Sequence, residues 1–393
     1  MNAWHLPDQF SDVLPAEAAR LERLRRRLLD LFSGYGYDQV IPPLVEYAES
    51  LRVTGAEDLD RRSFKMSDPV TGRLLGIRAD MTPQVARIDA HQLRRDGVVR
   101  LSYAASVVHA QAAGLLSSRE PLQLGCELYG HAGLEADLEI QELALACLDA
   151  AGLQEVHLDL TDRGIFLALM QADPGLAQVE EAVLAALALK DRPRLMDAAK
   201  GLKASTRSAC EALLGLYGPA TGPNNVIERA RSVLPPIAQI RESLDRLERV
   251  ASSALFVQHP RCALTVDLAD LVGWRYHNGI MFSISSKAWP DAIVRGGRYD
   301  GVGEAFGRAR PATGFSLELR ALASLVDSAD ADSHKTESAV AAPWRDEVPL
   351  REAIAGLRGR GRRVVCLPEG ELAHWTGPRL KPSGSGWVLA ETS

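Results

Sequence analysis

The chain has 393 residues, enough for two or three domains with cores of their own. With 46% hydrophobic and 24% charged residues it has the balance of an ordinary globular protein, and a net charge of −6 offers no basic surplus for a phosphate backbone. Five scattered cysteines give neither a disulfide framework nor metal-ligand spacing. No stretch reads as a secretory signal or a membrane span, so a cytoplasmic protein with no membrane partner is expected.

Residues 15–33, PAEAARLERLRRRLLDLFS, predict an amphipathic helix. Pro15 suits its first position, Leu21, Leu24, Leu28 and Phe32 share a face, and Gly34 stops it. A short strand follows within 35–47, limited by Pro42 and Pro43. Thr82 and Pro83 make an N-cap and first-turn pair for a helix that Gly97 closes. The runs 98–108 and 121–130 predict an antiparallel pair, 135–151 a helix and 155–160 a strand, and hairpin-length links suggest an antiparallel sheet.

From 163 to 256 Ala, Leu, Glu and Arg dominate with helical periodicity, an all-helical insertion. Strands resume at 263–271 and continue to 294, before a helix near 315–326. Residues 327–343 are polar and small, and read as a linker. The rest holds one helix–strand unit (350–367) and a last strand (387–390), too small a core to stand alone by the usual size rule. The expected division is therefore 1–162 and 257–326 as two parts of one core, 163–256 inserted, 327–343 linking, and 344–393 a truncated α/β segment. The basic run RGRGRR (358–363) reads as a solvated helix end.

The chemistry concentrates in a few motifs. In LQLGCEL (122–128) a period of two puts Gln123, Gly125 and Glu127 on one face, leaving a slot above the glycine. Glu127 can accept from an ammonium, and Gln123 can donate and accept. In IRADMT (77–82), Asp80 is either a cap or a second anion for an α-amino group. GWRYHNG (273–279) brings Tyr276 and His277, and RGGRYDG (295–301) brings Tyr299 behind the paired Gly296 and Gly297.

In order and spacing these motifs, with LPDQFSDVLP near the start and PATGFSLEL (311–319), resemble histidyl-tRNA synthetase over about residues 6–326. The resemblance implies an α+β, class II synthetase-like antiparallel sheet flanked by helices. It also implies a histidine pocket of Asp80, Thr82, Gln123, Glu127, Tyr276, His277 and Tyr299. Where those enzymes hold nucleotide phosphates and the forming adenylate with arginine, this chain has His109, Val272 and Ala321, with Gln111 in place of an acidic companion. Adenylate formation needs cations against developing charge, and arginine supplies them as a permanent planar fork.

That pattern is similar to one family, the regulatory subunits of ATP phosphoribosyltransferase. The similarity implies a chain with no catalytic residues, cofactor or metal. It would act in histidine biosynthesis with a short-form catalytic subunit, as a homodimer within a hetero-octamer, with L-histidine as feedback effector and no nucleic acid. A divergent histidyl-tRNA synthetase using His109 or Arg119, and a free-standing histidine-binding paralogue, are the alternatives.

Overall fold

The computed structural model describes residues 5–51, 57–112, 114, 117–153, 155–271, 276–326 and 339–390. Val272 falls outside them. The chain divides into two compact units, Met1–Leu325 and Val326–Ser393.

In the first unit the helix Pro15–Gly34 buries Leu21, Leu24, Leu28 and Phe32. Phe32 meets Phe315 edge-on, with centroids 6.2 Å apart, and the helix packs on the helix Leu319–Leu325. The apolar stripe is thus covered by the chain itself. An aspartate at Leu28 would therefore attack the fold, while nearby Ile41, Leu44 and Val45 are exposed.

Strand β1 (Asp38–Gln39) joins the main sheet, and β2 (Val45–Tyr47), β3 (Lys65–Ser67) and β4 (Leu74–Ile77) form a separate three-stranded sheet. Strands β5 (Val99–Ser106), β6 (Leu122–Tyr129), β7 (Val156–Asp162), β8 (Tyr217–Pro219), β9 (Cys262–Asp267), β10 (Ile280–Ser285), β11 (Val294–Arg298) and β12 (Ala312–Glu318) complete the large sheet. Its order is β1-β5-β6-β12-β11-β10-β7-β9-β8. It is mixed rather than wholly antiparallel: β1–β5 and β7–β9 are parallel. A parallel neighbour needs a long crossover, and the helices between Gly164 and Gln258 supply it for β7 and β9. That span is not all-helical, because β8 pairs with β9 at the sheet's edge. An ion pair from a half-buried arginine to a buried aspartate ties it to the sheet: Arg246 Nε donates to Asp162 Oδ2 at 2.9 Å.

Two boundaries differ from the sequence reading. The helix beginning at Thr82 runs on as a π-helical turn, Ile88–Leu93, and stops at Arg94, whose φ of 49° is left-handed, ahead of Gly97. The span 315–326 is strand up to Glu318, since β12 is hydrogen-bonded on both sides, to β6 and β11; its helix is confined to Leu319–Leu325.

In the second unit β13 (Val340–Pro343), β14 (Val364–Leu367), β15 (Arg379–Ser383) and β16 (Gly386–Ala390) form a sheet of order β14-β13-β15-β16. Strand β13 lies within the stretch read as linker, yet it is central and parallel to both neighbours. Its small side chains are fully buried. The helix Val348–Gly359 places Leu350 and Ile354 against Val340, Ala342, Val364 and Leu380. Together with β13, the residues beyond 344 therefore form more than one helix–strand unit, around a core of their own.

Candidate functional site

Strands β5 and β6 pair with Tyr103 opposite Gly125. The slot expected above Gly125 is filled: a Cβ there would collide with the Tyr103 hydroxyl and the Phe315 carbonyl. That hydroxyl donates to Glu127 Oε1 at 3.1 Å. Thr82 Oγ1 donates to the same oxygen at 2.8 Å, so the threonine serves the site rather than capping its helix, whose N-cap is Met81. The Tyr299 hydroxyl donates to Glu127 Oε2. Glu127 thus lies buried amid three hydroxyls, and Gly314 is the neighbour that makes room: a Cβ there would overlap its carboxylate.

Asp80 is bound to this cluster from the other side. It accepts from the Thr82 N–H at 2.8 Å and from Gln123 Nε2 at 2.8 Å, while Gln123 Oε1 accepts the Met81 N–H at 3.0 Å. Tyr276 stacks on His277 at 4.8 Å, and Tyr299 stands edge-on to both rings. Six of the seven expected residues line one small pocket of about 20 Å³, room for about one water. Gln123 braces it through Asp80.

Desolvation dominates the electrostatics here. Burial, with Asp80 adding repulsion, pushes the Glu127 carboxyl up to about 8 despite its three hydroxyl donors. Burial also raises Asp80. Two carboxylates facing neutral donors are suited to a ligand that brings N–H groups and positive charge.

A second, larger space of about 430 Å³ adjoins the pocket and shares Asp80, Arg295 and Ser316 with it. Among the described residues its walls carry four carboxyl groups (Asp80, Asp270, Asp291, Glu318) against two guanidiniums (Arg62, Arg295). His109 lies in the wall but contributes no charge. Its Nε2 lies 3.0 Å from the Ala79 carbonyl, which can only accept, so that nitrogen holds the proton. Arg62 Nη2 lies 3.1 Å from Nδ1 and 2.9 Å from Nε2, against the ring. Burial, then Arg62, brings the His109 pKa down to about 4.

Three other positions singled out in the sequence, Ala321, Arg320 and Arg119, are engaged elsewhere. Ala321 is buried and donates its N–H to the Glu318 carboxylate. Arg320 reaches the Ser11 carbonyl at 3.5 Å. Arg119 donates to the carbonyls of His109 (3.1 Å) and Ala110 (2.9 Å) and lies over the rings of Phe10 and Phe64. It holds the loop rather than facing a ligand.

Sequence reasoning missed Tyr103 as a donor to Glu127, and Arg62, Asp270, Asp291 and Glu318 as walls of the larger space. An aromatic residue aligned with a glycine across the β5–β6 hairpin was the available sign for Tyr103. The others come from segments remote in sequence and carry no motif.

The profile of the family described as histidyl-tRNA synthetase matches residues 9–322. A second, described as the ATP phosphoribosyltransferase subunit HisZ C-terminal domain, matches residues 337–389. A histidyl-tRNA synthetase from Nostoc sp. PCC 7120 superposes with a TM-score of 0.75 at 16% identity, covering 100% of this chain and 97% of that one. The fold is therefore that of class II histidyl-tRNA synthetases. A structure from Bacillus halodurans C, described as an ATP phosphoribosyltransferase regulatory subunit/histidyl-tRNA synthetase, gives a TM-score of 0.79 at 25% identity over 94% of each chain. The ATP phosphoribosyltransferase regulatory subunits of Cupriavidus metallidurans and Ralstonia nicotianae are 49% and 50% identical, over 99% of this chain and 99% and 98% of theirs. This chain belongs to the family of ATP phosphoribosyltransferase regulatory subunits.

Proposed function

We propose that this subunit binds L-histidine in the ring-lined pocket and relays feedback inhibition to a short-form ATP phosphoribosyltransferase catalytic subunit. The two assemble as a cytoplasmic hetero-octamer in which copies of this chain pair as dimers. The observation that carries the reading is the pairing of two buried carboxylates, Asp80 and Glu127, with aromatic rings and neutral donors.

Within that pocket the two acids take different roles. Glu127 is surrounded by Tyr103, Tyr276, His277 and Tyr299, which suits an imidazole whose ring N–H it accepts. Asp80 borders the larger space, so with Thr82 and Gln123 it suits the α-ammonium. This assignment replaces the ammonium role first read for Glu127.

The catalytic partner carries the chemistry in this reading, and histidine shifts the complex through unequal affinity for its active and inhibited states. Calorimetry on the purified chain and an assay of the reconstituted complex test it together. Glu127→Ala should weaken histidine binding and feedback inhibition by about 10- to 100-fold, the loss of one charge-assisted hydrogen bond. Activation of the catalytic subunit should persist. Unchanged affinity in both Asp80→Ala and Glu127→Ala would move the effector site elsewhere.

A further inference from the structure

The ring-lined pocket is closed at the Glu127 end by Tyr276, His277 and Tyr299 and by the backbone at Gly314. A side chain placed there leaves its α-carbon groups at the Asp80 end, where the wall is shared with the larger space. Arg295 belongs to both spaces and already bonds Asp291 at 2.9 Å. Past it stand Asp270 and Glu318.

Among the described residues these acids outnumber the cations that line the space with them. Burial holds the carboxyls of Asp80, Asp270 and Glu318 above their ordinary range. His109, kept neutral, offers no relief. The space has the volume for an added residue and the wrong sign for phosphates.

We propose that the site also accepts histidine extended at its carboxyl group by a cationic residue or amine, the extension occupying the larger space. The proposal rests on the histidine reading above and adds a ligand class to it, N-terminal histidyl peptides and amides with a positive end. The ammonium stays free to meet Asp80, and the amide that replaces the carboxylate removes a negative charge from an acidic wall.

Calorimetry on the full chain with L-histidine, L-histidinamide, L-histidyl-L-arginine and L-histidyl-L-aspartate tests this. Histidyl-arginine should bind at least about tenfold more tightly than histidyl-aspartate, and added salt should narrow that ratio. Asp291→Asn and Glu318→Gln should each narrow it about threefold while leaving histidine affinity unchanged. Because Glu318 accepts backbone N–H groups and its loss could harm folding, the exposed Asp291 keeps the test decisive. Histidine binding with neither dipeptide bound would overturn the proposal, as would equal affinity for the two dipeptides. Failure of histidine itself to bind refutes the underlying assignment, and the extension with it.

Discussion

Glu127 on β6 and Glu318 on β12 are both buried carboxylates, and their partners differ in kind. Glu127 is met by three side-chain hydroxyls, from Thr82, Tyr103 and Tyr299. Glu318 is met by the backbone N–H groups of Leu122, Arg320 and Ala321. Hydroxyls rotate and can be exchanged for a ligand's donors, whereas amides at a strand and helix end are fixed by the fold. The first arrangement is ready to hold something; the second is already complete. Both carboxyls are raised by burial, so the distinction lies in the donors and not in the charge. In the proposed reading the small pocket is equipped for an amino acid, while the larger space beside it is acidic, the wrong sign for a nucleotide.

The largest effect that follows is catalytic. Histidine-dependent ATP–pyrophosphate exchange should be absent, since each missing donor costs about 3 kcal/mol by analogy with oxyanion-hole deletions. Restoring arginine at two of the three positions, His109→Arg with Ala321→Arg, should not rescue it, because Asp270, Asp291 and Glu318 remain in the wall. Measurable exchange by the unaltered chain would erase the contrast between the two spaces.

A smaller effect separates the two carboxylates directly. Glu127→Gln should weaken histidine about tenfold, because the acid can give up its proton and become a charged acceptor as the ligand binds, and the amide cannot. Glu318→Gln should leave histidine affinity unchanged and lower thermal stability instead. Equal losses of affinity would mean that the two spaces act as one site.

The smallest effect is in pH. Glu127 titrates at about 8 in the fold against an ordinary 4.5, so its protonated form favours the folded state. Its contribution is full below pH 4.5 and is lost as pH rises through about 8. Melting temperature followed over that window should fall less steeply in Glu127→Gln than in the unaltered chain. Identical slopes would place the proton elsewhere in the cluster.

Much of this was legible in the sequence, and unevenly. The helix Pro15–Gly34 and the β5–β6 hairpin follow from local periodicity, and six residues of the small pocket from the motifs that carry the family resemblance. What periodicity cannot report is pairing at a distance. The two parallel contacts of the sheet depend on crossovers of dozens of residues. Strand β13 was hidden because Val-Ala-Ala-Pro has the composition of a linker, and only its neighbours on both sides make it a core strand. The acidic space was hidden for the same reason, since Asp80, Asp270, Asp291 and Glu318 meet only after folding.

Gly314 gives the pocket an unusual genetic vulnerability. Replacing its hydrogen by a methyl group would press on the Glu127 carboxylate and on the Cys126 carbonyl, without changing the charge or polarity of any pocket group. One nucleotide change from a glycine codon to an alanine codon is thus a short mutational path to a subunit that, in the proposed reading, no longer senses histidine. A strain selected to overproduce the end product of its pathway would be expected to find that codon.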